Sequence, residues 1–185
     1  ETFDDEGRLL SRTNRAGLTH TYNYNGFGLL ESITHTFGHS LTFTYDSFYR
    51  LETMIDPDGG IYRYAYDGND NLVSVTYPDD TPHDQTDNPV RIYHYEDVRF
   101  PHHLTGITDE TGQRYATWAY DSDGRAVLSE HAGHAERVEI TYGPDNARTV
   151  REWLDGYGDS DPSNDQYAER TYGFELLNGL LQNTQ

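Results

Sequence analysis

The stretch Leu41-Thr42-Phe43-Thr44-Tyr45-Asp46-Ser47-Phe48-Tyr49-Arg50-Leu51 decides the fold. Leu41, Phe43 and Tyr45 alternate with Thr42 and Thr44. A period of two places the three large side chains on one face of a strand and the hydroxyls on the other. Asp46-Ser47-Phe48-Tyr49 then reads as a polar turn, and Arg50-Leu51 opens a second short strand. Asp56-Pro57-Asp58-Gly59-Gly60 is another turn, since these residues cap turns and accept positive φ. The chain re-enters a strand in which Tyr62, Tyr64 and Tyr66 share a face. Strand, turn, strand, turn, at roughly ten residues each, is a run of β-hairpins.

Moving outward, the same grammar recurs. Aligned on an aromatic residue followed by a small or acidic one, the anchors are Phe3, Tyr24, Tyr45, Tyr66, Tyr95, Tyr120, Tyr142 and Tyr172. The first three intervals are 21 residues each, and the later ones are 29, 25, 22 and 30. The position two before each anchor from Tyr24 onward reads Tyr22, Phe43, Tyr64, Tyr93, Trp118, Ile140 and Arg170, a column of mostly large side chains. Self-similarity at a fixed period marks a repeat architecture, so residues 1–185 are expected to form one array of about seven to eight repeats. Acidic loop insertions near 77–89 and 155–166 account for the two longest intervals. In the second strand of each unit the apolar residues often lie three apart, as Leu30/Ile33, Leu51/Met54, Leu72/Val75 and Leu104/Ile107. Strict alternation would give an even spacing, and a bulge or a twist would reconcile the two. Phe174–Leu181 is a weak helix candidate because of Gly179, or equally a further strand of the series.

Composition fits a sheet whose apolar area comes from phenol rings. The chain is 34% hydrophobic and 14% aromatic, with 16 Tyr against one Met. All 13 basic residues are Arg, and the net charge is −19. Such a field repels phosphate backbones, which argues against nucleic acid as a partner. It also keeps sheet edges from associating. With no Cys, disulfides and thiolate metal sites are excluded. No run approaches the ~18 apolar residues of a membrane helix, so no membrane insertion is expected. Because the pattern is already under way at Phe3 and residue 1 is Glu, the chain is expected to be an interior piece of a longer protein.

The pattern Tyr-Asp, two residues, Gly-Arg-Leu, then Asp-Pro-x-Gly and a Tyr-x-Tyr-Asp strand resembles the RHS or YD repeats. Tyr45–Asp67 lies close to that pattern, and Tyr120–Arg125 carries its head. The likeness runs from about Phe3 to Gly173. Tyr95-Glu96-Asp97 lacks the following Gly, and Tyr142-Gly143-Pro144 lacks the Asp. The resemblance implies an all-β fold of tandem antiparallel hairpins forming a curved, spiralling β-sheet strip, a segment of a shell. It further implies enclosure of a C-terminal toxic polypeptide, with that polypeptide and neighbouring repeats as partners, in a secreted or cell-surface delivered protein. An extracellular carbohydrate- or protein-binding repeat module is the alternative. Tyr rings facing solvent in a row would favour the binder, and buried rings the wall.

Candidate chemistry is sparse. Asp155, Asp159, Asp161 and Asp165 have the oxygen-rich spacing that suits Ca²⁺, but the loop departs from the EF-hand pattern at Pro162 and Ser163. His102-His103 and His131/His134 lack the convergent third ligand that zinc needs. No nucleophile elbow, phosphate loop or dinucleotide fingerprint is present. The sequence therefore reads as a non-enzyme without a cofactor, in which recurrent Tyr columns serve cross-strand packing.

Overall fold

A computed structural model describes residues 1–81, 86–155, 158, 165–177 and 180–183. Among these the fold is all-β: seventeen strands and one short 3-10 turn at Ala132–His134. Within each unit the sheet strands pair antiparallel with their neighbours in chain order. The chain divides into two compact units, Glu1–Arg91 and Ile92–Gln185.

The first unit contains β1 (Thr2–Phe3), β2 (Leu9–Thr13), β3 (Thr19–Tyr24), β4 (Leu30–His35), β5 (Ser40–Tyr45), β6 (Leu51–Ile55), β7 (Ile61–Tyr66) and β8 (Leu72–Thr76). Directly paired residues of antiparallel strands share a face. Phe43 pairs Met54, Met54 pairs Tyr62, and Tyr64 pairs Val75, so aromatic and aliphatic side chains follow one another across the strands. The opposite face is lined with hydroxyls. Thr13 and Thr19 lie 2.8 Å apart, Thr34 and Ser40 2.9 Å, and Thr44 and Thr53 2.6 Å, each a cross-strand hydrogen bond. No second layer covers this sheet; Val75 and Asn71 are the only described residues of the unit that are buried. Its stability therefore resides in cross-strand pairs and turns rather than in a two-sided core.

The bulge that would reconcile the three-residue spacing is present. Tyr45 pairs Leu51 but Thr44 pairs Thr53, so Glu52 is the extra residue. Equivalent shifts fall between Asn23 and Tyr24 and between Ala65 and Tyr66. One inserted residue turns an odd spacing into a shared face, which puts Leu30 with Ile33, Leu51 with Met54 and Leu72 with Val75. Around Leu104/Ile107 the shift lies instead between Ile107 and Thr108, against Arg114.

The second unit runs through β9 (Val90–His94, from Ile92 onward), β10 (Gly106–Thr108), β11 (Arg114–Tyr120), β12 (Ala126–His131), β13 (Val138–Tyr142), β14 (Arg148–Asp155) and β15 (Gln166–Tyr172). The weak helix candidate is instead a hairpin of β16 (Phe174–Leu177) and β17 (Leu180–Asn183), a separate two-stranded sheet. Thr105, Gly106 and Ala116 are the buried ones among the described residues of this unit. One face adds charged pairs to hydroxyls: Glu130, Arg137 and Glu139 join around the β12–β13 turn, Arg151 pairs Glu169 at 2.8 Å, and Thr149 and Thr171 lie 3.0 Å apart.

Candidate functional site: a tyrosine latch between repeats

Five of the anchors tie their repeat to the one before it. The Tyr24 hydroxyl donates to the Leu9 carbonyl at 3.1 Å, Tyr45 to Leu30 at 2.8 Å and Tyr66 to Leu51 at 3.0 Å. In the second unit Tyr120 donates to Leu104 at 2.7 Å and Tyr142 to Ala126 at 3.0 Å. The acceptor lies where the previous repeat leaves its turn. The carbonyls of Leu9, Leu30, Leu51 and Ala126 sit at a bulge, where the ladder is locally interrupted, and the phenol supplies a donor there. The rings of Tyr24, Tyr45, Tyr66 and Tyr120 are half-buried. Burial raises the pKa of the Tyr45, Tyr66 and Tyr120 phenols, so each stays a protonated donor. Phe3 occupies the first anchor without a hydroxyl and is 56% exposed. Tyr95 ends just outside β9, and Tyr172 closes β15.

The residue after the anchor builds the turn. Asp46 Oδ1 accepts from the Phe48 amide at 2.8 Å and the Arg50 amide at 3.0 Å, while the Tyr49 amide donates to the Asp46 carbonyl. Asp4, Asn25, Asp67 and Asp121 organise their turns in the same way. On the other side of the strip Asn14, Asp56 and Asp109 do likewise. The fourth residue takes left-handed backbone: Gly28 has φ +78, and Tyr49 reaches φ +64 without the freedom of glycine.

Arginine completes the unit by reaching forward. Arg50 Nε donates to Asp46 Oδ2 at 2.8 Å and Nη1 to Asp70 of the next turn at 2.6 Å, and its guanidinium lies 4.7 Å from the centre of the Tyr66 ring. Arg8 stands over Tyr24 at 5.2 Å and Arg125 over Tyr142 at 4.2 Å. Before Tyr120 the same position is His103, edge-on to the ring at 4.6 Å. Partial burial pushes the Asp46 carboxyl upward, but the Arg50 and Phe48 amides and the Arg50 guanidinium outweigh it and hold the pKa below its usual value. Asp4 and Asp121 are lowered by the same balance.

The Ca²⁺ candidates are Asp155, Asp159, Asp161 and Asp165. Asp159 and Asp161 fall outside the described residues, as does the Asp155 side chain; Asp165 precedes β15. No group of three or more His, Asp or Glu positioned for a metal occurs among the described residues. His134 hydrogen-bonds Glu130 at 2.9 Å, and His103 packs on Phe100 and Tyr120. No described helix is long and apolar enough to cross a membrane.

What sequence reasoning missed is the latch. A signal was available: seven of the eight anchors are Tyr, although Phe would satisfy packing alone. The retained hydroxyl implies an acceptor, but the carbonyl fifteen or sixteen residues earlier carries no sequence mark.

The fold and latch define a repeat array, a sheet extended hairpin by hairpin among the described residues. Residues 1–88 match the family model described as Teneurin YD-shell. That match covers the repeats up to residue 88; beyond it the likeness rests on the fold alone. A structure of the Photorhabdus luminescens Tc holotoxin pore with a mutated TccC3 is 16% identical, over 97% of this chain and 10% of that one, with a TM-score of 0.55. At that identity the likeness concerns the fold alone. The chain spans about a tenth of that structure's length. The TcdB2-TccC3-TEV crystal structure is 14% identical over 99% of this chain and 15% of that one, but its TM-score of 0.33 is too low to bear on the fold. No curated protein matches by sequence.

Proposed function

We propose that residues 1–185 form one array of wall in an RHS shell that encloses a C-terminal toxic polypeptide in a secreted or cell-surface delivered protein. The role is structural rather than catalytic. The observation that carries this reading is the commitment of the anchor phenols. A row of Tyr rings that bound sugars would present rings and hydroxyls to solvent; here the rings are half-buried and five hydroxyls are engaged by backbone carbonyls. A solenoid-like array also suits a wall, because each unit needs only its neighbours to extend. In such a shell the strip curves and its neighbouring repeats continue the sheet.

Charge placement supports enclosure without adhesion. Within the strands of Glu1–Arg91 the only acidic residues are Glu31 and Glu52; the remaining described carboxylates of that unit lie at the turns or at Glu1. Neither face of this unit is an acidic wall able to grip a basic cargo, which favours retention by confinement there. The test is limited proteolysis of the natural full-length protein with intact-mass readout. A C-terminal segment that survives while the repeats are folded, and is digested once they unfold, is the expected result. Free cleavage of that segment around intact repeats refutes enclosure.

A further inference from the structure

The hairpin tips of the first unit carry a surface that the latch does not use. Phe27 is 75% exposed, Phe48 71% and Tyr49 58%. The Phe27 and Tyr49 rings, from neighbouring Tyr-side turns, meet with centroids 5.6 Å apart and planes inclined at 55°. Exposed aromatics grouped in this way are a mark of a binding surface. Their setting is acidic: the four turns Asp4–Arg8, Asn25–Leu29, Asp46–Arg50 and Asp67–Asn71 hold six carboxylates against two guanidinium groups. The Asp70 side chain is 76% exposed.

The chain displays the contact this setting favours. Arg50 lies 5.0 Å from the centre of the Phe48 ring while its edge is held by Asp46 and Asp70. A guanidinium flat on a ring, with carboxylate at its rim, combines cation–π attraction with charge-assisted hydrogen bonding. In the Asn25 turn the position that Arg8, Arg50 and Arg125 take in theirs is Leu29, so this turn supplies no guanidinium of its own. Among the described residues no cation lies over Phe27 or Tyr49.

We propose that the exposed Phe27–Tyr49 ring pair, set on turns in which carboxylates outnumber guanidinium groups, docks an arginine-bearing peptide segment. Arginine is preferred to lysine because its planar, weakly hydrated head stacks on rings. An anionic ligand would be repelled by the same carboxylates, and a neutral sugar would gain nothing from them.

The experiment uses the whole 185-residue chain and a fluorescent hexapeptide of alternating Arg and Gly, read by anisotropy at fixed salt. Companion peptides carry Lys or citrulline in place of Arg. The variant F27S/Y49G leaves every charge in place, and F27S alone serves if the double variant loses its β spectrum. The arginine peptide is expected to bind best, with affinity about tenfold weaker in the variant. Equal affinity in wild type and variant would show diffuse attraction to a −19 chain and overturn the site. Equal binding of the citrulline peptide, or chitohexaose binding that the variant abolishes, would overturn the arginine specificity.

Discussion

Replacing Tyr45 by Phe removes one oxygen and tests the latch directly. The hydroxyl donates at 2.8 Å to the Leu30 carbonyl, which sits at the point where β4 leaves its turn. The ring stays, so apolar contacts with the neighbouring strands are retained. What is lost is one neutral hydrogen bond in a part-buried setting. Such a bond contributes about 0.5–1.5 kcal/mol net, and a carbonyl left without its donor adds toward the upper end. The expected cost is about 1 kcal/mol, or roughly 2–4 °C in melting temperature for a chain of this size. Tyr22→Phe is the control: its ring lies on the same face, but no hydroxyl contact is found for it among the described residues. Chemical denaturation gives the stability difference, and native-state hydrogen exchange locates it. Faster exchange should be confined to β4 and β5, because nearest-neighbour coupling dominates a repeat array. If Tyr45→Phe and Tyr22→Phe are indistinguishable in both measurements, the hydroxyl does not join repeats and the argument for the wall loses its support.

Acid should weaken the turns. Asp46, Asp4 and Asp121 have lowered pKa values, so their contribution is complete above the unfolded carboxylate value of about 3.9 and is lost as pH falls through the folded value. Denaturation midpoints followed from pH 5 to pH 2 should therefore fall, and should fall less in D46N, where an amide keeps the turn bonds as Asn25 does. Gly28→Ala should cost about 1–2 kcal/mol, since an added Cβ meets the left-handed backbone and stands 3.1 Å from Arg8. Gly26→Ala, with open space and no positive φ, is the neutral comparison in the same melting assay. Gly106→Ala places a Cβ on the Arg114 guanidinium, which bonds Glu96 and the Thr105 carbonyl. Its penalty of about 1–3 kcal/mol should shrink in an Arg114→Ala background, a non-additivity that a double-mutant cycle measures.

The sequence determined the class of fold through two periods. Alternation over five residues, as in Leu41 to Tyr45, has no other stable reading than a strand, and the 21-residue recurrence of Tyr with Asp or Asn made each strand one half of a hairpin. It determined the turns as well, because the Oδ1 of Asp46 or Asn25 accepts from the amides two and four residues on. These contacts are local, so local residue order suffices. The spacing of Leu51 and Met54 was legible as an anomaly, but only the pairing of Thr44 with Thr53 showed that Glu52 is extra. The tertiary structure alone decided what crosses between repeats: Tyr45 finding the Leu30 carbonyl, Arg50 spanning Asp46 and Asp70, and Phe27 meeting Tyr49. An acceptor that is backbone has no residue identity to read. A contact between neighbouring hairpins depends on register, which pairing fixes only once the sheet has formed.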